Sequence, residues 1–227
     1  MNLKVIGAGI QGAILIGAGV LSSPLLRPWY SKWGATAAEV NRKMPGDDLV
    51  PDAKTHLTLA VTVQAPAAQI WPWLLQLGCQ RAGWYSYDLL DNSGIPSAER
   101  IIPEYQHLEI GDVVKAMPQG DFGFPVVAIE ESKRLTLGGA LDTRTGETVD
   151  PNDPDLEAYF SGDQTFYLEE FPRDDGPVTR FIFRMRLGWN SSFFNTIAYR
   201  VFLEPISFVM ARQTLLNIKR RAEARLV

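Results

Sequence analysis

The feature that most constrains this chain is an uncharged stretch from Val5 to Leu26, close to its beginning. At about 1.5 Å per residue a helix of this length spans roughly 33 Å, and the hydrocarbon core of a bilayer is about 30 Å thick. Its repeated glycines would weaken a helix in water, whereas helices in lipid tolerate them. A basic and aromatic segment, Arg27 to Trp33, follows at once and is typical of a headgroup region. The stretch therefore predicts a single-pass membrane anchor over residues 1–30.

The same stretch allows two other interpretations. Gly7, Gly9 and Gly12 spell the G-x-G-x-x-G pattern of a dinucleotide-binding turn. That turn needs a second strand ending in an acidic residue about 20 positions later, but the first carboxylate here is Glu39, inside a different predicted helix. No nucleotide cofactor is therefore expected. A cleaved signal peptide is the second alternative, although its apolar region would be long and no small-residue cleavage motif precedes Ser22.

Composition bounds the rest of the chain. About 200 residues follow the anchor, which is enough for one domain with a substantial core. The net charge of −4 argues against nucleic acid as the main partner. A single cysteine, Cys79, excludes an intramolecular disulfide and a thiolate metal cluster, and only two histidines argue against a multi-histidine metal site. Neither metal nor cofactor is therefore expected. Lys and Arg residues just after the anchor favour a cytoplasmic soluble domain.

Residues 31–55 read as a short helix and a linker before the main domain, residues 56–227. The pattern Thr36-x-x-Glu39 is a capping box and predicts the start of the helix. The acids that follow, Asp47 and Asp48, are predicted to be solvated loop residues, because exposed acids are more common than cation ligands in such loops.

The main domain alternates between strand and helix signals. Period-two alternation predicts a strand at His56–Val63, and later strands at "GDVVKAM", "FPVVAIEE", "RLTLGG", "QTFYLEEF" and "TRFIFRMRLGW". A helix is predicted within "APAAQIWPWLLQLG", and a long loop over residues 142–163. The end of the chain, residues 193–225, reads as one long helix kinked at Pro205, with a buried stripe that includes Phe202, Ile206, Val209 and Leu216.

This order of elements predicts an α+β fold in which a curved antiparallel sheet wraps around the long C-terminal helix. The apolar strand faces should turn toward that helix. A curved sheet and a long helix rarely close completely against each other, so an apolar and aromatic pocket is expected between them.

The chain also resembles a known group of proteins. The segments "WGATAAEV", "MPGDDLVPDA", "APAAQIWPWLLQLG", "RAGWYSYDLLDN", "RIIPEYQHLEIGD" and "LEPISFVMARQTLLNIKRRAE" resemble a bacterial subgroup of the SRPBCC (START/Bet v1-like) superfamily, which includes polyketide cyclase/dehydrase-like proteins. The resemblance runs from Trp33 to Glu223 and implies a helix-grip fold. In the wider superfamily the sheet–helix cavity binds lipids, sterols, polyketides or plant hormones, and a minority of members catalyse cyclisation or hydrolysis there. The resemblance supplies no catalytic motif, so no residue is assigned a catalytic role from it.

The candidate ligand-binding residues fall into two groups. In "GWYSYD" the amphipathic rings and the acid could orient a ligand at the cavity mouth, although they could equally pack under a loop while the acid caps a helix. The last strand and the final helix should supply the cavity walls. The candidates are Trp84, Tyr85, Tyr87, Asp88, Phe181, Phe183, Met185, Trp189, Phe202 and Val209.

The primary hypothesis is therefore a membrane-anchored domain that binds a small hydrophobic ligand, such as a lipid or a polyketide-like molecule. The alternative is a cyclase- or hydrolase-type enzyme in the same cavity, and the sequence leaves open whether the chain is an enzyme. Its acid–base groups would come from Tyr85, Tyr87, Asp88 or His107, the last with Glu104 as its orienting carboxylate. A third hypothesis, a purely structural or partner-binding membrane protein, predicts a cavity filled by the protein's own side chains.

Overall fold

The computed structural model describes residues 3–120, 122–145, 147, 149–150, 159–174, 176–190 and 193–224. The strands are β1 (Thr55–Val63), β2 (Val113–Lys115), β3 (Gly123–Glu130), β4 (Arg134–Asp142), β5 (Tyr159–Phe171) and β6 (Val178–Trp189). The α-helices are α1 (Leu3–Tyr30), α2 (Ala37–Asn41), α3 (Ala67–Leu75), α4 (Asp88–Asp91), α5 (Phe193–Ile197) and α6 (Glu204–Glu223). A π-helical segment, Ala198–Leu203, joins α5 to α6, and two 3₁₀ turns lie at Asp47–Leu49 and Pro103–Tyr105.

The strands form one curved antiparallel sheet in the order β1-β6-β5-β4-β3-β2, and α6 packs on one of its faces. Alternate residues of β6, beginning with Phe181 and Phe183, face α6 and join the main hydrophobic core. Leu215 and Ile218 of α6 are fully buried in the same core. The predicted α+β fold is confirmed, and this is the helix-grip arrangement.

The opposite face of the sheet carries the charged residues of β6 and is covered by the segment that contains α2. Arg184 donates hydrogen bonds to the carbonyl oxygens of Arg42 and Val40 and to the carboxylate of Asp47, the last at 2.9 Å. Asp47 is only 8% exposed, so its prediction as a solvated acid was wrong, while the side chain of Asp48 is 77% exposed. Sequence pattern alone missed the pair because the counter-charge comes from a distant strand.

The predicted capping box of α2 is present and also joins this segment to the sheet. Thr36 Oγ1 accepts from the backbone N–H of Glu39, and the Glu39 carboxylate accepts from the backbone N–H of Thr36. The guanidinium of Arg180 donates to the same carboxylate at 2.6 Å. Burial raises the pKa of Glu39, but the hydrogen bonds from Arg180 and Thr36 outweigh it and lower that pKa to about 2.

Helix α1 packs against the rest of the protein through a narrow stripe of mostly small residues. Its stripe positions include Val5, Gly9, Gly12 and Ser23, which are buried and recur at helical spacing. A Cβ added at Gly9 would lie 2.4 Å from Leu89 Cδ2, so only glycine permits this approach. The glycines of the G-x-G-x-x-G pattern therefore lie inside a helix rather than at a strand–helix turn, which removes the basis of the dinucleotide interpretation.

The other face of α1 is apolar and exposed. Leu21 and Leu25 are 88% and 84% exposed, and Ile14 is 65% exposed. One segment of the helix, Leu3–Ser23, is long and apolar enough to cross a membrane. Only 17% of its most apolar 18 residues are buried within the protein.

The predicted kink at Pro205 takes the form of the π-helical segment that precedes it. A proline has no N–H to donate to the preceding turn, and the wider turn accommodates it. The extra residue per turn shifts the buried face of the helix. Phe202, predicted in the buried stripe, is therefore 50% exposed, whereas Phe208 and Val209 are buried.

The loop predicted over residues 142–163 is shorter than expected. β5 already begins at Tyr159, and it pairs with Asp142 at the end of β4. The prediction was wrong for Tyr159–Asp163, because strand pairing with β4 and β6 outweighs the weak local preference of "YFSGD". The rest of the predicted loop includes residues 146, 148 and 151–158, which lie outside the described residues.

The Arg184–Asp47 pair gives a stability prediction. We expect Arg184→Ala to lower the free energy of unfolding by about 3–5 kcal/mol, because it removes the nearer counter-charge of a buried carboxylate and leaves only Arg186, at 3.8 Å. The control is Lys43→Ala, which breaks the exposed pair between Lys43 and Asp48 and should cost below about 1 kcal/mol. Urea denaturation of both variants measures the difference, and equal losses would contradict the assignment.

Candidate functional site

A cavity of about 380 Å³ lies between the sheet and the start of α6. Strands β2 to β6 and the turn before β3 form its floor and sides, and the end of the π-helical segment with the first turn of α6 forms its roof. The lining is mainly apolar. It includes Phe124, Phe160, Met185, Leu187, Leu203 and Ser207.

Glycines on the floor help to keep this space open. Gly139 and Gly162 line the cavity from neighbouring strands, where they face each other in register. A Cβ added at Gly139 would meet only Pro125, at 3.7 Å, so the space above this position holds no other side chain within van der Waals contact. Phe122 lines the cavity and is 44% exposed, which shows that the cavity reaches the protein surface.

Three polar residues belong to the lining: Asp163, Gln164 and Ser207. The carboxylate of Asp163 accepts a hydrogen bond from Thr165 on the other face of the sheet, which leaves two polar side chains for the cavity, one on each wall. Gln164 is on β5 directly opposite Met185, and Ser207 is on the first turn of α6. Within the described part of the chain, neither side chain makes a hydrogen bond. An apolar chamber with a few unpartnered polar groups is the usual character of a small-molecule site.

The predicted wall residues of β6 lie at different depths along the strand. Met185 lines the cavity. Phe181 and Phe183 lie farther along the strand in the packed core, where the ring of Phe183 is 5.2 Å from that of Phe166. Trp189 is fully buried beyond the cavity, and its indole N–H donates to Thr196 Oγ1 at 3.4 Å.

The "GWYSYD" residues also separate. Trp84 and Tyr85 are buried in the main core, where the Tyr85 hydroxyl accepts a hydrogen bond from Gln76 Nε2 at 2.6 Å. The carboxylate of Asp88 accepts hydrogen bonds from the backbone N–H and hydroxyl of Ser97. None of these three predicted residues is part of the cavity lining.

Tyr87 and Val209 line a second hollow, a groove of about 320 Å³ between α1 and α6. Ala18 and Gly19 belong to its α1 side. The groove also contains Arg212, whose guanidinium lies 4.7 Å from the centre of the Trp33 ring. Predicted ligand-binding residues are thus divided between two hollows, the packed core and, for Phe202, the surface.

The acid–base candidates are not in the cavity. His107 and Glu104 are both exposed. Cys79 is 1% exposed, and burial raises the pKa of its thiol to about 11, so it is not a reactive thiolate. Glu204 is fully buried and bonded to Arg27, so it does not act as an acid in the cavity.

Sequence reasoning missed one buried acid near the site. The carboxyl of Asp163 lies on the opposite face of the sheet from the cavity, in register with Arg186. It is 1% exposed, and burial raises its pKa to about 7 although Arg186 opposes the shift. The residue fell inside the predicted loop, and only its strand pairing reveals the burial.

Comparison with known proteins finds only distant structural similarity. No family model matches the chain, and no curated protein matches it. Similar solved structures include the Zhui aromatase/cyclase from Streptomyces sp. R1128, at 16% identity over 76% of this chain and 95% of that one, with a TM-score of 0.33. The Polyketide_cyc-like protein Cgl2372 from Corynebacterium glutamicum is 12% identical over 75% and 93% of the two chains, with a TM-score of 0.37.

A third similar structure is protein MLL2253 from Mesorhizobium loti, 15% identical over 75% of this chain and 99% of that chain, with a TM-score of 0.35. At these identities and TM-scores the likeness carries no argument about ligand or activity. The START/Bet v1-like resemblance is confirmed at the level of fold, because the strand order and the closing helix are those that it implies.

The raised pKa of Asp163 gives a pH prediction. Between its ordinary value of 3.8 and about 7, the folded protein holds a proton that the unfolded chain releases, so stability falls as pH rises through this window. Asp163→Asn cannot ionise and should remove this part of the decline. As pH rises through this window, from about 4 to about 7, we expect the free energy of unfolding of the variant to increase relative to that of wild type.

Chemical denaturation across that pH range measures the effect. The matched control is Asp174→Asn, an exposed acid in the turn between β5 and β6. Curves for Asp163→Asn and wild type that stay parallel over the whole range would contradict the assignment.

Proposed function

We propose that this chain is a membrane-associated domain that binds a small hydrophobic ligand in the cavity between the sheet and α6. The observation that carries the proposal is the cavity itself, which is lined by apolar side chains and has unpartnered polar groups at Gln164 and Ser207. At about 380 Å³ it lies near the lower end of the usual range of about 300–1,000 Å³ for ligand sites. A compact ligand fits this space better than a large lipid enclosed whole.

The polar groups define the chemistry of the ligand further. The Gln164 amide both donates and accepts hydrogen bonds, and the Ser207 hydroxyl does the same. Because they stand on opposite walls, a ligand with an apolar body and one or two hydroxyl or carbonyl oxygens satisfies both. Small lipids and polyketide-like molecules have this character.

Binding is favoured over catalysis by the positions of the acid–base candidates. The enzymatic alternative requires Tyr85, Asp88 or His107 beside the ligand, and none of them lines the cavity. Tyr87 lines the groove between α1 and α6 instead. A binding role needs only the apolar walls and the polar groups that the cavity already contains.

Membrane association is supported by the exposed apolar face of α1 and by the segment Leu3–Ser23, which is long enough to span a bilayer. The single-pass version, with a cytoplasmic domain, is the form that the sequence predicts. Full crossing would require Gly9 and Gly12 to leave their contacts with Leu89 and Tyr87. Contact through the outer face alone would keep those contacts.

The membrane proposal is tested with a double substitution on the outer face of α1. Leu21→Glu with Leu25→Glu should move the full chain from the membrane fraction to the soluble fraction, because a charge in lipid is unfavourable by roughly 2–4 kcal/mol per residue. The control is Ile110→Glu with Met117→Glu, which changes exposed apolar residues away from α1. Retention of the α1 variant in the membrane fraction at the wild-type level would contradict the proposal.

The cavity proposal is tested by filling the cavity. Gly139→Phe places a ring in the open space above the floor and should abolish both copurification of a ligand and uptake of a hydrophobic fluorophore. Thr143→Phe adds the same ring at an exposed turn and should bind like wild type. Native mass spectrometry and fluorophore titration measure binding, and circular dichroism checks folding. Uptake by folded Gly139→Phe equal to that of wild type would refute the cavity as the binding site.

A further inference from the structure

The groove between α1 and α6 is lined mainly by small, apolar and aromatic residues. The small residues Ala18, Gly19 and Ser22 contribute its α1 side. A Cβ added at Gly19 would lie 3.3 Å from Pro205 Cβ, which shows how closely the two helices approach beside the groove. Most of the remaining lining is apolar or aromatic, so the groove offers a surface that fits an acyl chain.

One charged side chain belongs to this lining. Among the described residues that line the groove, Arg212 is the only charged one. Its guanidinium stacks on Trp33 and, within the described part of the chain, makes no hydrogen bond or ion pair. Arginine binds phosphate and carboxylate groups through two parallel hydrogen bonds, so a half-buried and unpaired guanidinium favours an anionic ligand.

A buried phenol provides a second, independent observation. Tyr87 lines the groove and is only 2% exposed, yet its hydroxyl has no hydrogen-bond partner among the described residues. The hydroxyl oxygen is not among the enclosed polar atoms that lack a partner in the described part of the chain, so it is accessible although the ring is buried. The hydroxyl can donate to an oxygen of a ligand that occupies the groove.

The groove opens onto the surface proposed to meet the membrane. Leu26 and Trp29 both line the groove and are 46% and 55% exposed. Leu25, which is 84% exposed, continues the same apolar surface. A lipid in the adjoining leaflet therefore reaches the groove without crossing water.

Of the other basic groups near the groove, Lys32 is exposed and lies outside the lining, and several others already have partners. Arg27 is bonded to Glu204, and Arg220 and Arg221 are both paired with Glu99. The charge that remains for a partner in the groove is that of Arg212, in a chain whose net charge is −4. Selective contact with an anionic membrane therefore depends on this local site rather than on the overall charge.

We propose that the α1–α6 groove binds one anionic membrane lipid, with its acidic headgroup on Arg212 and Tyr87 and an acyl chain against the apolar wall. This inference rests on the membrane association in the proposed function. It is distinct from the ligand of the sheet–helix cavity, because the two hollows share no lining residue.

The experiment uses the full chain in lipid nanodiscs with equal amounts of phosphatidylglycerol and phosphatidylcholine. Native mass spectrometry of the released protein counts the lipids that stay bound. We expect wild type to retain phosphatidylglycerol over phosphatidylcholine by about tenfold, which is the effect of one charge-assisted contact of about 1.4 kcal/mol. Arg212→Gln should abolish this preference, Arg212→Lys should keep part of it, and Tyr87→Phe should weaken it.

Two controls separate this inference from the cavity proposal. Arg144→Gln removes an arginine that already pairs with Asp142, and it should retain the wild-type preference. Gly139→Phe, which fills the cavity, should also retain it. The inference is overturned if wild type retains both lipids equally, or if folded Arg212→Gln keeps the preference. Loss of the preference in Gly139→Phe but not in Arg212→Gln would place the lipid in the cavity, and would overturn the groove site while supporting the proposed function.

Discussion

The position of α6 over the sheet depends on one buried carboxylate. Glu204, the first residue of α6, is fully buried and accepts hydrogen bonds from Arg27 of α1 and from Thr55 of β1. A carboxylate in this environment is stable only with its partners in place, so three distant segments must meet at one point. The roof of the cavity begins beside it, at Leu203 and Ser207. The contact therefore fixes how far the helix stands from the sheet.

The cavity beside this contact exists because large side chains are absent from its floor and its roof. Gly139 and Gly162 leave the floor without side chains, and the π-helical segment before Pro205 turns Phe202 outward instead of into the space. Farther along the same sheet face, large residues such as Phe166 and Trp73 fill the core completely. One sheet and one helix thus produce a solid core along most of their contact and a chamber at one end. The proposed ligand role rests on that local difference, because the third hypothesis predicted a filled interior.

Much of the fold could be predicted from the sequence, because periodicity reports directly on local structure. Alternation over His56–Val63 and in "TRFIFRMRLGW" predicted β1 and β6, and the Thr36–Glu39 capping box predicted the start of α2. Two failures have one cause, which is that the deciding partner is distant in sequence. Asp47 is buried by Arg184, and Tyr159–Asp163 is held in a strand by its neighbours on both sides.

The site was much less predictable. Alternation shows which face of β6 points to the helix, but it does not show at which residues the sheet and the helix separate. It therefore could not distinguish Met185, which lines the cavity, from Phe181, which lies in the packed core. Gln164 and Ser207 carried no motif that would have distinguished them.

The most direct measurement is a crystal structure of the full chain with the molecule that copurifies with it. The account predicts continuous ligand density in the chamber, within about 3 Å of the Gln164 amide. A chamber filled by the protein's own side chains, or a ligand bound elsewhere with the chamber empty, would contradict it.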